Sequence, residues 1–78
     1  MEPREACLKV LDDAAPEPLH WTVVLDRALQ ERLLDPFTMR DVRGAVVKNL
    51  AALAKEGRVE KAGTGLYRAA GTQPDGSA

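Results

Sequence analysis

The chain holds one histidine, His20, and one cysteine, Cys7. Imidazole is the side chain best suited to moving protons near neutral pH, and a thiolate is a strong nucleophile. Neither has companions here. His20 lacks a second histidine and a suitably spaced cysteine and aspartate group, so a zinc site from one chain is close to excluded. Cys7 has no partner for an internal disulfide, which fits a reducing, intracellular and cytoplasmic setting. No pair of carboxylates and no nucleophile with its base stands in a recognisable arrangement. The Gly63-Thr64-Gly65 triplet lacks the lysine and the strand-to-helix context of a phosphate loop. No enzyme is expected, and no cofactor or metal is implied.

The remaining chemistry is that of cations. Arg40, Arg43 and Lys48 fall in one stretch; Arg58, Lys61, Thr64 and Arg68 fall in the next. Such groups neutralise phosphates, and arginine can also read a base edge in the major groove. Residues 38–69 carry a net charge of +4, residues 1–19 carry -3 and residues 20–37 carry -1, within a total of -1. This division can orient a small protein on a polyanion although its total charge is near zero. Uneven charge also arises by chance in small domains, so the elements that position these residues must decide.

At 78 residues the chain has room for one small domain with a marginal core and none for an elaborate cleft. No apolar run is long enough to span a membrane, and the N-terminus lacks the basic and apolar regions of a signal peptide. Cys7, Val10, Leu11 and Ala14 recur at helical spacing and predict a first helix over residues 4–14. This makes Cys7 a small buried hydrophobe. Pro16 and Pro18 end that helix and hold Leu19, His20 and Trp21 extended, as one short edge strand. Thr22 is expected to cap a second helix over residues 23–33, built on Val24, Leu25, Ala28, Leu29 and Leu33. Asp35-Pro36 marks a turn. Thr38 and Asp41 suggest a capping box that opens a third helix over residues 39–56, with Val42, Val46, Leu50 and Leu53 inside. Gly44, within this pattern, marks either close packing or a break.

Gly57 suits the end of that helix, and the period then changes from helical to alternating. Arg58-Val59-Glu60-Lys61-Ala62, a glycine turn and Leu66-Tyr67-Arg68 predict a β-hairpin over residues 58–69, with residues 19–21 as a third strand. A hairpin alone is marginal, so it must pack on the helices. The fold class is α+β: a winged helix, three helices with a small antiparallel sheet whose hairpin is the wing, over residues 1–69. Residues 70–78 are expected to form a disordered C-terminal tail.

Pro18-Leu19-His20-Trp21-Thr22, the run from Ala28 to Pro36 and the run from Gly57 to Tyr67 together resemble the HARE-HTH domains. These are winged helices of chromatin-associated proteins, restriction endonucleases and a bacterial RNA polymerase subunit. The resemblance covers residues 4–69. Arg32 stands where the pattern often has glycine, and the link from Pro36 to the third helix is short. The resemblance implies a winged helix that binds DNA or makes protein contacts, with no shared catalytic group.

On this reading double-stranded DNA is the expected partner. Arg40, Arg43 and Lys48 project from the last helix into the major groove, with Arg43 at a base edge. Arg58, Lys61, Thr64 and Arg68 set the wing on phosphates. Lysine on an edge hairpin equally guards against sheet-to-sheet pairing. Trp21 is expected to close the first two helices or to anchor a protein partner. The rival function is a protein-interaction module, free or fused to another domain, of a larger DNA-processing or transcription complex. The acidic residues of the first two helices would repel a duplex on that side, and would instead meet a basic partner or keep the domain soluble.

Overall fold

The computed structural model describes residues 2–70. Three helices and three strands follow in the order α1 (Pro3–Ala14), β1 (Leu19–His20), α2 (Trp21–Gln30), α3 (Val42–Lys55), β2 (Val59–Gly63) and β3 (Leu66–Ala69). The strands form an antiparallel sheet in the order β1-β3-β2, so the short first strand is an edge. This is an α+β architecture of winged-helix type.

The apolar stripes read from the sequence meet in one core. Cys7, Val10 and Leu11 of α1, Val24 and Ala28 of α2, and Val46, Leu50 and Leu53 of α3 are buried together with Val59 and Tyr67 of the sheet. α1 packs on both other helices and on β3, while α3 lies against β2. The hairpin therefore gains the helical support that a two-stranded unit needs. Arg4 ties α1 to the end of α3, its guanidinium donating to both carboxylate oxygens of Glu56 at 2.8 and 2.5 Å. That contact offsets a carboxylate at a helix C-terminus, where the helix dipole disfavours it.

Helix boundaries differ from the sequence expectations by two residues or more at three places. The second helix begins at Trp21 rather than Val23, and its cap is His20 rather than Thr22. The His20 ring accepts from the Thr22 N–H at 3.2 Å. Trp21 thus leaves the strand, but its own N–H still donates to Gly65 O at 2.9 Å and continues the pairing of β1 by one bond.

The same helix stops at Gln30, short of Leu33, because Arg32 takes a left-handed φ of 59°. The N–H of Leu33 then reaches Ala28 O at 2.8 Å and that of Arg32 reaches Leu29 O at 3.1 Å. These are the two bonds of a Schellman cap.

The third helix begins at Val42, not Met39. Asp41 is its cap and accepts from the Gly44 N–H at 2.9 Å, while the Thr38 hydroxyl bonds back to Asp35 O at 3.2 Å. Gly44 marks close packing and not a break: a Cβ there would collide with the capping carboxylate of Asp41.

The hairpin falls within its expected bounds. Ala62 is an extra residue between the Lys61–Tyr67 and Gly63–Leu66 pairs, a bulge ahead of the Thr64-Gly65 turn. Ala70 still bonds to the hairpin, its N–H 3.4 Å from Arg58 O. The disorder expected of residues 71–78 lies outside the described residues.

Candidate nucleic-acid interface

The outer face of α3 follows from its inner one. With Val46, Leu50 and Leu53 buried, Arg43, Val47, Lys48, Ala51, Ala52 and Lys55 face solvent. No acidic residue lies between Val42 and Lys55. The exposed face is cationic at intervals, with small apolar side chains between the charges. Lys55 belongs to it and was not among the sequence candidates. Its place in the last helical turn, with no acid within the helix, is the signal that could have found it.

Arg43 stands in the first turn of α3, its guanidinium carbon 5.9 Å from the centroid of the Trp21 ring. This is within reach of a cation–π attraction. Trp21 is half-buried and packs on the core, so it is both a wall of the core and a rest for Arg43. The Trp21 ring also meets the wing turn: a Cβ at Gly65 would lie 3.3 Å from Trp21 Cδ1 and 2.8 Å from His20 Nε2. Gly65, at φ 73°, is glycine for two reasons, its backbone and this approach. Arg43, Trp21 and the Thr64-Gly65 turn form one cluster at the start of α3. The wing tip is strapped to the β1–α2 junction by this approach and by the Trp21 N–H bond to Gly65 O.

The other candidates are placed as follows. Arg40 is exposed in the loop just ahead of α3, and Lys48 is exposed one turn beyond Arg43. Arg58 lies at the far end, between the last turn of α3 and β2. Pairing puts Lys61 on the hairpin face of Tyr67 and Val59, and Arg68 beside Glu60 on the opposite face. Arg68 donates from Nε to Glu60 at 2.8 Å, so its charge is answered locally. An exposed pair of this kind is weak and can be exchanged for a phosphate.

Every carboxylate in residues 38–69 is engaged. Asp41 caps α3, Glu56 binds Arg4 and Glu60 binds Arg68. The hydrogen bond from Arg4, with its charge and that of Arg58, holds the Glu56 carboxyl below the ordinary carboxylate value. Among the described residues, Arg40, Arg43, Lys48, Lys55, Arg58 and Lys61 form no ion pair.

Trp21, Leu25, Leu29, Asp26 and Arg43 line an open hollow of about 390 Å³ between α2 and the start of α3. Among the described residues, no three His, Cys, Asp or Glu side chains are grouped to hold a metal, and no helix is long and apolar enough to cross a membrane. No protein-family model, curated protein or solved structure matches the chain significantly.

Proposed function

We propose that the chain is a module for binding double-stranded DNA, of the kind the HARE-HTH domains represent, acting in transcription or other DNA-associated regulation in the cytoplasm. One observation carries this reading: the acids of the basic half are spent within the fold, and six of its cations have no carboxylate partner among the described residues. They lie on, or next to the ends of, the elements that a winged helix turns toward a duplex. Arg43, braced on Trp21, is assigned to a base edge. Arg40, Lys48 and Lys55 are assigned to phosphates along the groove. Arg58, Lys61 and Thr64 set the wing on the backbone, and Arg68 joins them by exchanging Glu60 for phosphate. Titration of a labelled random-sequence duplex at two salt concentrations tests this. Weak binding that falls steeply with salt is expected, because each phosphate contact releases condensed counterions. No binding at tens of micromolar protein in low salt would refute it.

A second reading is a protein-interaction module of a larger DNA-processing or transcription complex, free or fused to a neighbour. It draws on the open hollow at Trp21, where Trp21, Leu25 and Leu29 would receive a partner side chain. Under this reading a partner is retained through Trp21 while duplex binding is undetectable.

A further inference from the structure

The loop between α2 and α3 presents an aromatic side chain to water. Phe37 is 96% exposed, far more than Val23 or Val47, the other large apolar side chains on the surface. The exposure is held in place. The Asp35 carboxylate accepts from the Phe37 N–H at 2.9 Å, and Asp35 O accepts from the N–H groups of Thr38 and Met39, both at 3.2 Å. These bonds fix the backbone of the loop with the Cα of Phe37 at the surface.

Phe37 forms one wall of a hollow of about 540 Å³, whose other walls are Leu29, Leu34 and Pro36, with Arg32 and Asp35 at its rim. Arg32 makes no ion pair among the described residues. It also stands at φ 59°, a left-handed conformation that favours glycine. A charged side chain is thus kept at a backbone position where glycine would be easier.

We propose that this patch pairs with the same patch of a second copy of the chain. The patch is self-complementary, as a twofold interface requires. It offers both a projecting ring and an apolar hollow, and both a cation and a carboxylate at one rim. In the twofold pairing, each Phe37 enters the hollow of the other copy, and each Arg32 meets the Asp35 of the other copy. A foreign partner would need only half of these features. The net charge of -1 sets up little repulsion between copies. The patch offers six residues per copy, against roughly 20–30 a side in a stable interface, so association is weak and shows at high concentration.

Sedimentation equilibrium on the full chain tests the pairing without DNA, so its outcome is separate from that of the DNA-binding reading. Over concentrations from about 10 μM to about 1 mM, the average mass should rise from that of one chain toward that of two. Phe37→Ser should stay monomeric throughout with an unchanged thermal midpoint, since the ring supports no core contact. Arg32→Gly should raise the thermal midpoint yet weaken association roughly three- to tenfold, the scale of exposed ion pairs. A chain that remains monomeric at the highest concentration would overturn the proposal. So would association that Phe37→Ser leaves intact, since the contact would then lie elsewhere.

Discussion

Arg32 and Gly57 hold the same position in the same helix cap, at φ 59° after α2 and 80° after α3. After α3 the N–H of Arg58 reaches Leu53 O at 2.9 Å and that of Gly57 reaches Ala54 O at 3.1 Å, matching the bonds of Leu33 and Arg32 one helix earlier. One cap is built with the residue that suits it; the other pays for a side chain.

Two opposite substitutions measure the difference. Gly57→Ala forces a Cβ into the left-handed region and should cost about 1 kcal/mol, although open space surrounds it. Arg32→Gly relieves that strain and should stabilise the monomer by up to about 1 kcal/mol, the gain being trimmed by the greater freedom of glycine when unfolded. Urea denaturation at low protein concentration checks both. Equal destabilisation by the two changes would show that φ does not govern these caps.

The residues that were legible in the sequence are those whose spacing reflects burial. Cys7, Val10, Leu11, Val46, Leu50 and Leu53 declare helical faces by period, and Val59 and Tyr67 lie within a run that alternates. Helix ends were misread where a side chain other than the usual one caps. His20 accepts through a ring nitrogen, and Asp41 caps on its own rather than as partner to Thr38. Arg32, where the pattern the sequence resembles often has glycine, ends α2. That departure was visible in the sequence, but its backbone consequence was not. The cations were legible as charge. Their arrangement was not, because Arg68 is answered by Glu60 across the hairpin and Arg43 by Trp21 across two helices, and neither relation has a fixed sequence spacing.

Gly65 fastens the wing to the helices, so Gly65→Ala should act beyond the turn. The new Cβ would press on His20 Nε2 and Trp21 Cδ1 while φ stays positive. A loss of about 1–3 kcal/mol is expected. The Trp21 indole and His20 ring resonances should shift most in a two-dimensional spectrum. If changes were confined to residues 63–66, the strap between wing and helices would not exist.

Cys7 is fully buried, and this burial pushes its thiol up to about 11 from an ordinary value of 9.0. The folded state disfavours the thiolate more than the unfolded state does. The resulting stability is fully present below pH 9 and is lost as pH rises toward 11. Unfolding midpoints of the wild-type chain should therefore fall across that window, and those of Cys7→Ala should fall less steeply. Native protein should also resist an aromatic disulfide reagent at pH 8, reacting at the rate of unfolding. Immediate labelling of folded chain would contradict the burial.

Arg43 and Lys61 separate the two kinds of contact expected of a DNA-binding module. Lys61 sits on the hairpin with no carboxylate partner among the described residues, a charge suited to phosphate. Lys61→Ala should weaken all duplexes about equally and lower the salt slope by roughly one. Arg43 is held by Trp21 at the start of α3, where side chains reach base edges. Arg43→Ala should cost about 1–3 kcal/mol on a preferred sequence and less on others. Trp21→Leu keeps an apolar wall but removes most of the cation's rest, so it should reproduce part of the Arg43→Ala loss without changing the salt slope. Anisotropy titrations of the three variants, each at two salt concentrations, distinguish these outcomes. If Trp21→Leu lowered the salt slope as Lys61→Ala does, Arg43 would be one more phosphate contact and not the reader of bases.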